Sequence, residues 1–150
     1  MKVLFVCTGN MCRSPAAEKM LLHAGGAGFE ARSRGTAAQA YCKMPRQISA
    51  FLNRMGITDT AHTPTLITET DINWADLILV METCHFEHLA DKFPQSLRKM
   101  HLFLDYCNGL SGADLRDPMG KNDKAFEEVL TEIRVAVEQL VKKTDSGKTF

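Results

Sequence analysis

The sequence lacks a long apolar run and lacks an excess of either charge. No stretch approaches the roughly 18 uninterrupted apolar residues of a membrane span, and the first apolar run, residues 3–7, is also too short for a signal peptide. Acidic and basic side chains number 18 each, so the formal net charge at pH 7 is zero. These features argue against a nucleic-acid surface and against membrane insertion, and they predict a cytoplasmic protein.

The chain also lacks the cysteine pattern of a disulfide scaffold or a zinc site. Its five cysteines are an odd number, and no two of them show Cys-x-x-Cys spacing. His85 and His88 could share one face of a helix, but no third ligand is evident beside them. We therefore expect free thiols, no metal centre and no organic cofactor.

What the sequence does contain is an alternation of short apolar runs and amphipathic segments. The runs predict strands at residues 3–7, 29–33, 77–81 and 100–104. Helices are predicted from the Ser14-Pro15 pair, with Ser14 as N-cap, to Gly25-Gly26, over residues 45–55, after the capping box at Thr68, through residues 85–89 up to Pro94, and over about residues 124–142.

This alternation predicts an α/β fold of the flavodoxin-like kind. We expect one domain over residues 1–143, with a flexible tail at residues 144–150. The predicted sheet has four parallel strands in the order 2-1-3-4, with helices on both faces. In such a sheet, ligands bind at the carboxyl ends of the strands beside the switch point, which here is the end of the first strand.

The segment at that point, Cys7 to Pro15, carries the residue types of an anion site with a nucleophile. Backbone N–H groups between a strand and a helix start can surround an anion, and Gly9 and Asn10 tolerate the backbone angles that this curl needs. Arg13 can hold two phosphate oxygens at once. The same positive field favours the thiolate form of Cys7, and Ser14 is placed to donate a hydrogen bond to it.

A phosphatase also needs a group that protonates the leaving oxygen and later activates water. One carboxylate near the pocket mouth can do both, and Asp117, stiffened by Pro118 in the loop beyond the fourth strand, is the candidate. Asp114 is the alternative, although aspartates in such loops are commonly turn formers.

Together these residues resemble the low-molecular-weight protein tyrosine phosphatase family, whose signature is Cys-x5-Arg-Ser at this position. The resemblance extends over nearly the whole chain and includes residues 77–82 and the Asp117-Pro118 pair. It implies an enzyme that removes phosphate from protein phosphotyrosine through a phosphocysteine on Cys7, with Asp117 as general acid and base. The implied partner is a phosphorylated protein or peptide, and we expect a monomer.

The resemblance also implies roles for neighbouring residues. The phosphate-binding set is Thr8, Gly9, Asn10, Met11, Cys12, Arg13 and Ser14. Asn10 and Ser14 brace the loop, with Ser33 and His62 as hydrogen-bond partners. Cys12 either forms a protective disulfide with Cys7 or is a small buried side chain. Many family members have aromatic residues directly after the Asp-Pro pair, where this chain has Met119 and Gly120. We expect the substrate wall here to comprise Met11, Tyr41 and Met119.

Three alternatives share this scaffold. One branch of the family acts on phosphoarginine and carries a small Thr where this chain has the apolar Met11, so we favour phosphotyrosine. A thiol-dependent arsenate reductase needs a cysteine relay, but Cys84 has no second cysteine nearby, and position 89 is Leu89. A phosphate-binding module without catalysis is also compatible with the fold.

Overall fold

The computed structural model describes residues 1–145. Its strands and helices alternate along the chain. The strands are β1 (Lys2–Cys7), β2 (Glu30–Gly35), β3 (Leu77–Val80) and β4 (Met100–Leu102). The helices are α1 (Arg13–Gly25), α2 (Arg46–Arg54), α3 (Glu69–Trp74), α4 (Thr83–Lys92), α5 (Phe103–Asn108) and α6 (Asp123–Asp145), with short 3-10 turns at Gly26–Gly28 and Pro94–Lys99.

The four strands form one parallel sheet in the order β2-β1-β3-β4, which confirms the predicted topology. Strand β1 is central: Cys7 pairs with Gly35 of β2, and Val6 pairs with Val80 of β3. The chain moves from β1 to one side for β2 and to the other side for β3. The end of β1 is therefore the switch point, where the loop that contains Cys7 begins.

Strand β1 is buried on both faces, because its side chains alternate between two apolar cores. Val3, Phe5 and Cys7 belong to a core that α1, α2, α5 and α6 cover. Leu4 and Val6 belong to a second core that α3 and α4 cover. A strand with helices on both sides must be apolar at every position, which explains the continuous run at residues 3–7.

The fourth strand is shorter than the sequence predicts. We expected a strand over residues 100–104, but β4 ends at Leu102 and helix α5 begins at Phe103. Phe103, Leu104 and Cys107 are buried along one face of α5, which is helical spacing within a short apolar run. Phe103 packs edge-on against Phe5, with 5.8 Å between ring centroids, and this tertiary contact favours the helix.

The start of the first helix and the end of the last helix also differ from the prediction. Helix α1 begins at Arg13, and Cys12, whose side chain forms no capping hydrogen bond, takes the N-cap position predicted for Ser14. Helix α6 continues through Asp145, so residues 144 and 145 of the predicted tail are helical, whereas residues 146–150 lie outside the described residues. None of the helices within residues 1–145 has the length and apolar character needed to cross a bilayer.

Candidate active site

The Cys7 loop, residues 7–14, begins at the last residue of β1 and ends in the first turn of α1. The segment after β2 supports its backbone: Thr36 N–H donates to the Cys7 carbonyl at 3.0 Å, and Ala37 N–H donates to the Thr8 carbonyl at 2.9 Å. Gly35 is required for this approach, since a Cβ there would lie 2.5 Å from the Thr8 carbonyl oxygen. The loop is therefore held by backbone contacts with its neighbouring strand.

Cys7 and Ser14 are in direct contact. The Sγ atom of Cys7 lies 2.9 Å from Ser14 Oγ, and both residues are buried. Ser14 Oγ also accepts a hydrogen bond from Asn10 Nδ2 at 2.8 Å. Because its oxygen accepts from Asn10, the Ser14 hydroxyl can direct its own proton to the sulfur, which is closer than the Arg34 carbonyl at 3.5 Å. Ser14 can thus stabilise a thiolate at Cys7.

Asn10 braces the loop from inside the protein. It is fully buried and adopts a left-handed backbone with φ of 55°. Its Oδ1 accepts from the Thr65 N–H at 2.9 Å, and its carbonyl oxygen lies 2.7 Å from His62 Nε2. Asparagine adopts this conformation more readily than most residues, so one side chain supplies both the turn and its anchors.

The curled part of the loop presents backbone donors without protein acceptors. Among the hydrogen bonds found in residues 1–145, none is donated by the backbone N–H groups of residues 9–12. A strand end followed by a helix start also contributes the positive end of the α1 dipole. Such a set of donors is an anion-binding site.

Arg13 lies at the side of this site and is anchored by one nitrogen. Its Nη1 donates to Glu82 Oε2 at 2.6 Å and to the Leu115 carbonyl at 2.8 Å, and the side chain is 3% exposed. The hydrogen bonds that Arg13 forms within the described residues use Nη1 alone, which leaves Nε and Nη2 for an anion. Because the Arg13 side chain is already fixed, its guanidinium can bind two phosphate oxygens with little further loss of side-chain conformational entropy.

Asp117 also lines this site, from the loop between α5 and α6. Its Oδ2 is 3.9 Å from Arg13 Nη2, and its Oδ1 accepts the Met119 N–H at 3.0 Å. The side chain is 50% exposed. Asp114, the alternative acid, instead accepts the N–H and the hydroxyl of Thr83 at 2.8 and 2.9 Å and so caps α4. The geometry therefore favours Asp117.

Cys7 and Asp117 line the same cavity of about 200 Å³. The cavity is lined by Cys7, Thr8, Gly9, Met11, Cys12, Arg13, Asp117 and Met119. The Met11 side chain lies over Gly9, with its methyl carbon 2.9 Å from the position a Cβ would take there. A thiol, a cation, unpartnered amides and a half-exposed carboxylate therefore converge on one small pocket with two methionines at its sides.

Comparison with known proteins agrees with this geometry. A sequence model of the family described as low molecular weight phosphotyrosine protein phosphatase matches residues 2–149. The chain belongs to this family. Its membership in the low molecular weight phosphatases confirms the resemblance drawn from the loop and the Asp-Pro pair.

Individual members of the family carry three different activity names. A protein-arginine-phosphatase of Bacillus subtilis is 31% identical, with 95% of each chain covered. An arsenate reductase of Staphylococcus haemolyticus is 29% identical over 91% of this chain and 92% of that protein. The crystal structure of a low molecular weight protein tyrosine phosphatase from T. tengcongensis has a TM-score of 0.87 and 32% identity, covering 95% of this chain and 99% of that one. These relatives thus share the fold but differ in their named activities, so the family alone does not identify the substrate of this chain.

Two of the predicted site residues lie elsewhere. Ser33 was expected to bond to Asn10, but its hydroxyl donates to Glu18 Oε1 at 2.6 Å, because β2 aims this side chain at α1. Tyr41 was expected in the substrate wall, but it is 81% exposed and is absent from the cavity lining. His62, in contrast, contacts Asn10 as expected, although through the backbone carbonyl.

Cys12 lines the same cavity as Cys7, and its side chain is buried. Burial, followed by the charges of Cys7 and Asp117, raises the pKa of the Cys12 thiol to about 12. Cys12 therefore remains protonated at neutral pH and does not compete as nucleophile. A Cys7–Cys12 disulfide remains a prediction; all five cysteines of the chain are free thiols in the structure.

His85 is the site residue that the sequence reasoning missed. Its Nε2 lies 2.7 Å from Thr8 Oγ1, and its Nδ1 accepts the Glu82 N–H at 3.0 Å. Glu82, Cys84 and His85 also place potential metal-ligand atoms within 4.8 Å of one another. Both His85 nitrogens and the Glu82 carboxylate already have protein partners, however. These contacts hold Thr8 and Arg13 of the Cys7 loop, so the cluster is not assigned as a metal site. Its sequence signal was a histidine five residues after the end of β3, which is too weak to interpret alone.

Proposed function

We propose that this protein removes phosphate from phosphotyrosine side chains of proteins, with Cys7 as nucleophile and Asp117 as general acid and base. The observation that carries the proposal is the shared pocket. It is lined by Cys7, by loop residues whose backbone N–H groups have no acceptor within residues 1–145, and by the half-exposed Asp117. The phosphorylated-protein substrate is common to the phosphatases of the family.

In the first step, the Cys7 thiolate attacks phosphorus, forming the S–P bond as the P–O bond to the tyrosine ring breaks. The N–H groups of residues 9–12 and the Nε and Nη2 groups of Arg13 stabilise the negative charge on the phosphoryl oxygens. Asp117 donates its proton to the departing phenolic oxygen. Since Oδ1 is occupied by the Met119 N–H, Oδ2 is the oxygen that carries this proton.

In the second step, water attacks the phosphocysteine and its proton passes to the Asp117 carboxylate. The S–P bond breaks, inorganic phosphate is released, and the sulfur regains its charge. Ser14 stabilises that thiolate through the 2.9 Å contact with Cys7 Sγ. The dipoles of the loop amides and the charge of the Arg13 guanidinium supply the positive potential in this scheme.

The pocket wall supports an aromatic substrate. Met11 and Met119 contribute apolar, adaptable side chains, which suit the faces of a phenyl ring. A phosphorylated guanidinium would instead need anionic acceptors, and Asp117 is the one carboxylate among the lining residues, while Glu82 is already paired with Arg13. We therefore place phosphotyrosine ahead of phosphoarginine as the substrate class.

Phosphoarginine is the second candidate, because the Bacillus subtilis relative named for that activity matches 95% of this chain. Arsenate reduction has less support. Cys84 is exposed on α4, but Leu89 of the same helix is fully buried in the core, and the sequence has no further cysteine until Cys107. A relay through two additional thiols is therefore incomplete.

The test of the proposed function is a comparison of kcat/KM on two peptides of one sequence, phosphorylated at tyrosine or at arginine. We expect the tyrosine peptide to be preferred, and Met11→Thr to move the ratio towards arginine, because the small hydroxyl opens and polarises the wall. Cys7→Ser should abolish turnover of both peptides. Turnover that persists in Cys7→Ser would contradict the covalent scheme, and preference for the arginine peptide would contradict the substrate assignment.

We also propose that the protein acts in the cytoplasm as a monomer. The five free thiols support a reducing compartment, where disulfides rarely persist. Sedimentation of the purified chain and cell fractionation test the two statements separately.

A further inference from the structure

His85 lies next to the Cys7 loop without belonging to it. It is 2% exposed, in the first turn of α4, and its Nε2 lies 2.7 Å from the hydroxyl oxygen of Thr8. Thr8 directly follows the nucleophile and lines the pocket. A side chain 77 residues further along the chain is therefore in contact with a hydroxyl group of the pocket.

The backbone of Glu82 determines which ring nitrogen of His85 carries the proton. An amide N–H can only donate, so Nδ1, 3.0 Å away, must offer its lone pair. A neutral imidazole then has its proton on Nε2. The ring is neutral at pH 7, since burial and the nearby charge of Arg13 lower the pKa of His85 to about 4. His85 Nε2–H therefore donates to Thr8 Oγ1.

This donation orients the Thr8 hydroxyl. An oxygen that accepts from His85 keeps its single proton for a different acceptor, and the contact with His85 is the one hydrogen bond of this hydroxyl within residues 1–145. Thr8 is exposed towards the cavity that Cys7 and Arg13 also line. An oxyanion bound over the sulfur would be the acceptor in reach of this proton.

We propose that His85 is a positioning residue, which fixes the Thr8 hydroxyl as a hydrogen-bond donor to a phosphoryl oxygen in the pocket. The inference rests on the proposed function for its ligand and adds to it a donor that loop amides and Arg13 do not supply. It also explains why a neutral, buried histidine lies beside a site that binds negative charge.

Glu82 connects the His85–Thr8 contact to Arg13. Its carboxylate holds Arg13 Nη1 at 2.6 Å, and its backbone N–H holds His85 Nδ1. One residue at the start of α4 thus contacts both Arg13 and His85, and through His85 it affects the Thr8 hydroxyl. Displacement of this residue would disturb both groups together.

The test is direct calorimetric titration of inorganic phosphate into wild type, His85→Asn, Thr8→Val and the double variant. The amide oxygen of Asn can replace Nδ1 as acceptor for Glu82, but its side chain is too short to reach Thr8. We expect phosphate binding to weaken about tenfold in each single variant, since a hydrogen bond to a charged acceptor is lost. The double variant should be no weaker than either single variant.

His88→Asn is the matched control, because His88 is exposed on the same helix. It should bind phosphate as wild type does. Wild-type phosphate affinity in His85→Asn, or losses that multiply in the double variant, would overturn the proposal. If His85→Asn does not fold, Thr8→Val serves as the test, because Thr8 is exposed and its substitution leaves the core unchanged. Unchanged phosphate affinity in Thr8→Val would also overturn the proposal.

The titration does not depend on turnover, so it separates this inference from the proposed function. A chain that binds phosphate with the expected pattern but hydrolyses neither phosphopeptide would retain the His85 assignment and lose the phosphatase assignment. If turnover disappears in Cys7→Ser but phosphate affinity is unchanged in His85→Asn, the phosphatase assignment is retained and the His85 assignment is lost.

Discussion

The Cys7 loop and the loop that carries Asp117 line the same pocket, but they are held in different ways. Asn10, Arg13 and Ser14 of the Cys7 loop are almost completely buried. Each of them is bonded to another part of the chain or to its own loop. Asp117 is half exposed, and its closest hydrogen bond is to the backbone of Met119, two residues away.

The difference corresponds to what each side has to do. A nucleophile and its oxyanion donors act best when they are fixed before the substrate arrives, since no reorganisation is then needed during the reaction. The acid must reach the leaving oxygen and afterwards an incoming water molecule, so it benefits from solvent and from local freedom. We therefore expect changes in the Cys7 loop to affect stability as well as activity, and changes at Asp117 to affect activity alone.

Among the changes that compare the two loops, the largest effect on turnover is expected from Asp117→Asn. Turnover of an aryl phosphate with a poor leaving group should fall about 10²- to 10⁴-fold through lost proton transfer. The thermal midpoint should hardly change, because an exposed carboxylate 3.9 Å from its cation contributes little to stability. The loss should shrink for a leaving group that needs no proton, and turnover with several aryl phosphates measures this.

Asp114→Asn is the control for that variant, since Asp114 caps α4 and does not line the pocket. It should lower the free energy of unfolding by up to about 1 kcal/mol. Equal loss of stability in the two variants would remove the distinction between the two sides of the pocket.

A change at Asn10 should have a smaller effect on turnover than Asp117→Asn, but a larger effect on the free energy of unfolding. Asn10→Ala removes the bonds to Ser14 and to the Thr65 N–H, and it forces alanine into a left-handed backbone. We expect a loss of about 2–4 kcal/mol in urea unfolding. Asn10→Gly keeps the backbone freedom and should lose less. If glycine and alanine lose equally, the amide bonds alone hold the loop.

The sequence was sufficient for the Cys7 loop and for the topology because both are local or periodic signals. The nucleophile, the guanidinium and the helix start lie within eight consecutive residues, and the chemistry of an anion site requires them at that spacing. The parallel sheet followed from the alternation of short apolar runs with helices, and the position of the site followed from the order 2-1-3-4 expected for that sheet.

Three of the failures concern contacts made by folding. Ser33 bonds to Glu18 because β2 packs beside α1, and residues 103–104 are helical because α5 packs on Phe5. His85 meets Thr8 only once β3 lies beside β1. No spacing in the chain encodes these partners, since each depends on the distance between elements that are remote in sequence.

A smaller effect tests the His85 contact through pH. The folded-state pKa of His85, about 4, is below its ordinary value of 6.5, because burial disfavours the charged ring. The unfolded chain therefore binds more protons between these values, and stability falls as pH drops from 6.5 to 4. The contribution is at most about 3 kcal/mol. Urea unfolding of wild type and His85→Asn at pH 7, 5.5 and 4 measures it, and the variant should show the shallower decline. Parallel declines would mean that folding does not lower the pKa of His85.

The smallest effect is expected at Tyr41, and it limits how far the pocket extends. Tyr41→Ala should change kcat/KM for a small aryl phosphate less than about twofold, since surface substitutions away from a site are usually close to neutral. Met119→Ala, which removes a pocket wall, should raise KM for the same substrate. An effect at Tyr41 as large as that at Met119 would mean that the exposed loop after β2 closes over the substrate. The contrast would then be between a fixed loop and two movable ones.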